Sequence, residues 1–433
     1  MRKRFTSAAV FTCLVTLVLC SPLCVQGQHF ENQGAVAVPP ASELAIRAYR
    51  SGNILWIATQ AWTLVAPALL LLTAVSARVR NWAAKATVAW PLSTGIYLLS
   101  YLTITLVLNL PLSFYAGYLR PHAYGLSSFS VDQWFVGVLK TLLFTPQFPP
   151  AQIPGFLLGF PFVLVLYWLL KKSPGQWWLY TGLVLVPFFL VGSWIQPIWL
   201  DPILRHYGPV KNKDIETPIL DLARRAGMEG GRVFEVEMSR ETKSMGAVAV
   251  GQGGTRRIVL WDTLITGMER REVLTVVAHE IGHYVLGHGK YRLMVHALLL
   301  LLALGFVQWT SRPIMEVAKD KFGFDRLSDI ASLPLIMLLI NAALLLLMPI
   351  DLAFQRYQER EADRFAVELT RDNHAAATAY IKLSQGVLNM PKPGPLYTIW
   401  RLTHPSEASE VEFFNEYRPW QSGQALRYGS FIH

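Results

Sequence analysis

Cysteine is missing from most of this chain. All three cysteines (Cys13, Cys20 and Cys24) lie in the first 24 residues, so nothing downstream can close a disulfide or offer a thiolate to a metal. Any metal site in the body of the protein must therefore draw on His, Asp or Glu. Charge is scarce as well. Only 16% of the 433 residues are Asp, Glu, Lys or Arg, against 52% hydrophobic, and the mean hydropathy is +0.33. Soluble domains carry about 25% charged residues, so the deficit points to lipid as part of the solvent. There is no internal repeat and no low-complexity tract. The net charge of +10 forms no basic stripe, its Lys and Arg being dispersed among apolar spans, which excludes a nucleic-acid partner.

What is present is a series of long apolar runs. A basic start, Met1–Arg4, precedes an apolar segment and Val25-Gln26-Gly27, so residues 1–27 read as a signal peptide or a first membrane helix. Membrane helices are expected at Ile54–Ala77, Val88–Tyr115, Ile153–Leu170, Trp177–Leu200, Leu293–Trp309 and Leu333–Phe354, each near the ~20 residues that cross a bilayer. Pro91, Pro161 and Pro187 fall inside these spans, where neighbouring helices can satisfy the freed carbonyls. Residues 28–200 thus form an N-terminal membrane region and 293–354 a transmembrane hairpin.

Two polar regions break the series. Residues 201–292 read as a water-facing α+β domain. Its expected elements are a helix at Pro218–Ala226, strands at Val233–Met238, Ala247–Val250 and Arg257–Trp261, and a helix from Glu269 through His288. Residues 355–433 form a polar C-terminal region. Loop charge gives an orientation. Arg78, Arg80, Lys85, Lys171, Lys172, Arg312, Lys319, Lys321 and Arg326 all lie in loops on one side, and the positive-inside rule makes that side cytoplasmic. The polar regions then face away from the cytoplasm. The N-terminus has the look of a bacterial one, which places the chain in a bacterial inner membrane.

The polar domain holds His279-Glu280-Ile281-Gly282-His283. Positions four apart share a helix face, so both imidazoles can reach one ion, and Glu280 lies beside them to take a proton from water. Gly282 leaves room for another element to come close. Zinc needs a third protein ligand and an open position. Gln358-Glu359-Arg360-Glu361-Ala362-Asp363, just past a membrane helix, puts Glu359 and Asp363 on one face. One can bind metal while the other hydrogen-bonds a ligand imidazole. On pattern alone this stretch reads first as a solvated charge run on a helix. His288 reads as helix-end packing or support for a ligand, and His296 as an interfacial side chain.

The run from His279 to His288, a membrane hairpin, and Glu359-x-x-x-Asp363 together resemble the type 1 CAAX prenyl endopeptidases and the HtpX-like membrane proteases. Leu110–Tyr115, Tyr124–Ser127, Arg257–Leu264 and Thr403-His404-Pro405-Ser406 resemble further segments of the CAAX branch, so the likeness runs from about Ile54 to Pro405. It implies a mainly α, polytopic fold: a ring of about six or seven transmembrane helices enclosing a chamber, with a zincin-like α+β catalytic domain. It puts the third zinc ligand at Glu359 and the supporting aspartate at Asp363. It also implies one Zn2+ per chain and a cytoplasm-facing metal, the reverse of the loop-charge reading. His404 is then either a donor to the reaction's oxyanion or a structural histidine before a proline turn. Two positions depart from the pattern: Gly246-Ala247 where the family has Asn-Ala, and Glu410 where it has an arginine six residues after the late histidine.

The expected function is zinc-dependent hydrolysis of hydrophobic or membrane-associated polypeptides, with Glu280 as base. Partners are then a peptide or membrane-protein substrate and the bilayer. The two departures keep open a zinc-binding scaffold or a lipid- or peptide-binding chamber. A transporter fits poorly, because the spans carry few polar residues.

Overall fold

The computed structural model describes residues 34–143, 156–195, 207–251 and 255–433. The expected signal segment and the outer ends of two expected spans, at Ile153 and Leu200, lie outside the described residues.

Six long helices carry the apolar runs: α1 (Glu43–Leu72), α3 (Trp90–Phe114), α5 (Phe156–Lys172), α6 (Trp177–Ile195), α10 (His288–Phe322) and α11 (Leu333–Thr370). Between them lie α2 (Val75–Ala86) and α4 (Val131–Leu143) in the membrane region. The sheet domain contributes α7 (Lys213–Arg225), α8 (Asp262–Gly267) and α9 (Arg270–Val285). Beyond α11 come α12 (Asn373–Gly386), α13 (Pro395–Arg401) and α14 (Glu407–Glu416). Four of these stretches, built on α1, α3, α10 and α11, are long and apolar enough to cross a membrane. The chain is a multi-pass membrane protein.

The long helices close a circle. α1 packs on α11, α11 on α10, α10 on α6, α6 on α5, α5 on α3, and α3 returns to α1 directly and through α2. Yet only 22% of the most apolar window is buried within the protein in α1, α3 and α10 alike. A solid bundle would cover more of each helix, so the arrangement is a ring rather than a filled bundle. Its best-packed cluster centres on Trp177, Tyr97, Tyr167 and Leu98, where α3, α5, α6 and α11 meet. Two buried hydroxyl pairs lie there: Tyr167 and Ser332 3.0 Å apart, and Ser76 and Tyr97 2.7 Å apart.

Two helices run further than their apolar sequence does. α10 continues to Phe322, and α11 carries on past Phe354 for four turns of polar sequence to Thr370. A helix leaving a membrane keeps its hydrogen-bond ladder where nothing breaks it, and neither extension contains a proline or glycine beyond Pro349 in α11 and Pro313 in α10. The extension of α11 becomes a central strut of the polar domain. The expected helix from Glu269 through His288 is instead two helices, because Gly287 adopts a left-handed conformation (φ 69°) between α9 and α10.

The sheet has four strands in the order β1 (Tyr207–Pro209), β2 (Arg232–Val236), β4 (Arg257–Trp261), β3 (Ala247–Val250). β2 and β4 are parallel; the outer strands are antiparallel to them. β3 is therefore an edge strand, pairing Val248 with Val259 on one side only among the described residues. The core beneath joins β4, α7 and α9 to Phe365, Ala366 and Leu369 of α11.

Candidate metal centre

α9 is built to cross α11 closely. Its capping box is complete, Glu269 accepting from the Glu272 backbone and Glu272 accepting from Glu269 N–H at 2.8 Å. A Cβ on Gly282 would sit 3.1 Å from the Phe365 ring and 3.3 Å from the Ala362 carbonyl, so this glycine sets the approach of the two helices.

At that crossing three donor atoms converge. His279 Nε2 and His283 Nε2 are 3.0 Å apart, and each lies 3.2 Å from Glu359 Oε2. Tetrahedral zinc with bonds of 2.0–2.1 Å separates its ligand atoms by about 3.3 Å. A triangle with sides of 3.0 to 3.2 Å fits such an ion, and among the described residues this is the His/Cys/Asp/Glu group that can hold a metal.

The tautomers agree with the fit. His279 Nδ1–H donates to Asp363 Oδ1 at 2.9 Å, which leaves the Nε2 lone pair facing the triangle. His283 Nδ1 lies 2.8 Å from His288 Nδ1; with its proton there, its Nε2 is likewise free to bind. Gln358 Nε2 donates to the His288 carbonyl at 3.0 Å and steadies that ring's backbone. Glu359 is fixed from behind by Arg292, whose Nη2 is 3.4 Å from Oε1. His404, half-exposed, brings Nε2 to 3.1 Å from Glu359 Oε2. Glu280 sits within the field of His279, His283, Glu359 and His404; burial raises its carboxyl above the ordinary range while the imidazoles pull it down.

All six residues singled out in the sequence therefore meet at one place. His288 brings its Nδ1 to 2.8 Å from His283 Nδ1. His296 is not simply snorkelling: its Nε2 is 3.0 Å from Asp351 Oδ1. Arg292 and Arg360 carried no sequence signal, since their partners are remote in the chain.

Both departures acquire a local reason. Glu410 is fully buried and turned inward, with Arg360 Nη1 donating to its Oε2 at 2.8 Å and its Oε1 buried without a hydrogen-bond partner among the described residues. It contacts no surface a substrate could reach. Gly246 lies under Trp261: a Cβ there would be 3.2 Å from the indole, and the Gly246 carbonyl accepts from Trp261 N–H at 3.0 Å.

Comparisons with known proteins agree with this geometry. Residues 209–417 match the model of peptidase family M48, and 48–206 match that of the CAAX prenyl protease N-terminal region of five membrane helices. The metalloprotease YhfN of Bacillus subtilis is 32% identical over 348 residues, covering 79% of this chain and 78% of its own. The chain belongs to peptidase family M48. It is accordingly a membrane metalloprotease, and the family implies a metal. Among more distant relatives of this M48 peptidase, CAAX prenyl protease 1 of Saccharomyces cerevisiae is 25% identical, covering 71% of this chain and 69% of its own. The crystal structure of S. mikatae Ste24p superposes with a TM-score of 0.74 at 19% identity, covering 95% of this chain and 97% of that one, and so shares the fold.

Proposed function

We propose that this M48 peptidase is a zinc-dependent endopeptidase of hydrophobic or membrane-associated polypeptides, with His279, His283 and Glu359 as ligands and Glu280 as general base. The observation that carries the reading is the ligand triangle with Glu280 beside it. A zinc ion held by His279, His283 and Glu359 would supply Lewis acidity and make a water molecule more acidic. Glu280 takes the proton and returns it to the leaving amine. Asp363 holds the His279 ring in its productive tautomer. His404, half-exposed on the open side of Glu359, donates to the developing oxyanion.

The free edge of β3 binds the substrate backbone by strand addition; Ala247–Val250 contains no proline and has no partner on its outer side among the described residues. The domains follow the chemistry: a membrane region over 28–200, the zincin-like domain over 201–292, the hairpin over 293–354, and the C-terminal region that supplies Glu359. The loop charges support a polar domain outside the cytoplasm of a bacterial inner membrane, and a reporter fused after His433 reads the side directly. Hydrolysis of an internally quenched apolar peptide by the zinc-loaded chain, stopped by a chelator and restored by zinc, tests the activity. Cleavage indifferent to chelation would remove the proposal.

A further inference from the structure

Two arginines stand side by side without a carboxylate. Arg120, which ends the π-helical turn after α3, and Arg401, the last residue of α13, both crowd Gly52 of α1. A Cβ on that glycine would lie 3.1 Å from Arg120 Nη2 and 3.7 Å from Arg401 Nη2. Like charges this close repel, and a fold usually inserts an acid between them. Here no carboxylate pairs with either among the described residues. Arg120 Nη2 donates to the Ala48 carbonyl at 2.8 Å, and its Nε is buried with no partner. Arg401 Nη1 donates to the neutral Asn53 amide, and its guanidinium lies 4.4 Å from the centre of the Tyr397 ring. Burial and the Arg120 charge both draw the Arg401 guanidinium below its ordinary value, with Tyr397 and Tyr49 opposing.

Two half-buried guanidiniums held by carbonyls, an amide and aromatic rings, with donors to spare, make a receptor for a planar anion. The position says which anion. α1 exposes Ile54, Ile57, Val65 and Leu69 along one face. Tyr49, Asn53 and Trp56, which touch Tyr397 and Arg401, lie at helical spacing on the side of α1 turned to α13. The pair is therefore packed between α1 and α13, held by protein groups on each side.

It is also close to the metal centre. Arg401 is three residues from His404, at most about 11 Å along the backbone. On the other side, the loop after Arg120 bridges the polar domain through Ser127 and Thr242, a few residues ahead of the edge strand β3.

We propose that Arg120 and Arg401 form a carboxylate-recognition site for the polypeptide substrate, filled by its chain terminus or by an acidic side chain a few residues from the bond that is cut. The site rests on the peptidase reading of the metal centre and gives that reading a specificity.

The test uses the full chain in nanodiscs carrying Glu280→Gln, so that peptide stays whole. Three fluorescent apolar nonapeptides are titrated: one ending in a carboxylate, one in a carboxamide, and one carboxamide with an internal Glu. One carboxylate form is expected to bind about tenfold tighter than the uncharged peptide, and which form it is identifies the source. That preference should vanish on adding Arg401→Gln or Arg120→Gln, leave the uncharged peptide's Kd unchanged, and persist in part with Arg401→Lys. Equal binding of all three peptides, or a preference surviving both Gln variants, overturns the site. So does an arginine-dependent stabilisation by phosphatidylglycerol over phosphatidylcholine nanodiscs with no peptide preference, which would assign the pair to lipid. A binding preference without any cleavage by the zinc-loaded unsubstituted chain would leave the site standing and sink the peptidase reading alone.

Discussion

Asp363 accepts from His279 Nδ1 at 2.9 Å, and the buried carboxyl of Glu410, far along the chain, feels the Asp363 charge, so it is coupled to the metal centre through one intermediary. Burial raises the Glu410 carboxyl well above the carboxylate range, and the Asp363 charge adds to it while Arg360 opposes. Glu410 accordingly keeps its proton, with Oε2 accepting from Arg360 and Oε1 buried without a hydrogen-bond partner among the described residues.

That protonation has a sign. A carboxyl whose folded pKa lies above its unfolded value binds more protons when folded, so stability falls as pH rises from the unfolded value toward the folded one. Glu410→Gln carries a permanent donor and removes this loss. Thermal unfolding should show the variant gaining on the parent between pH 5 and 8 and matching it near pH 4.5. A Tm difference independent of pH would contradict a protonated Glu410.

Glu272 behaves in the opposite way. Its carboxyl is buried, which would raise it, but the Lys382 ammonium at 2.6 Å and the Glu269 backbone outweigh burial and hold it below the ordinary value. The stability it confers is complete above the unfolded pKa and is lost as pH falls through the folded one. Glu272→Ala strands Lys382 and opens the capping box, at a cost of about 1–3 kcal/mol in denaturant unfolding at pH 7. A loss that is the same at pH 3 as at pH 7 would refute the pairing.

Gly282→Ala tests the helix crossing. The added methyl meets the Phe365 side chain at 3.1 Å and the Ala362 carbonyl at 3.3 Å, and a backbone carbonyl cannot step aside. Overpacking of this kind costs about 1–3 kcal/mol. Because α9 and α11 carry the proposed ligands, zinc affinity should weaken together with stability. Unchanged affinity would mean the crossing does not set the triangle.

Glu280→Gln should retain one zinc per chain while hydrolysis falls by at least about a thousandfold, since the amide cannot take the proton. His279→Ala should lose the metal itself. Residual turnover near the parental rate in Glu280→Gln would assign the base elsewhere.

The ease with which these residues could be read from sequence follows the range of their contacts. His279, Glu280 and His283 are legible because one helical turn fixes their relation. Glu359 was a charge run until the resemblance singled it out, because its partners are some 80 positions away and spacing says nothing about that distance. Arg292, Arg360 and the inward turn of Glu410 left no trace in the pattern; each depends on how α10, α11 and α14 meet. The membrane helices were legible from hydropathy, but their ends were not. The apolar signal stops at Phe354 while the α11 hydrogen-bond ladder runs on to Thr370, and a local backbone conformation at Gly287 splits one expected helix into two.

The most direct test is the anomalous difference map of the zinc-loaded chain at the zinc edge. The account predicts one peak about 2.0–2.2 Å from His279 Nε2, His283 Nε2 and a Glu359 carboxylate oxygen. A peak elsewhere, or one that Glu359 does not reach, would contradict it.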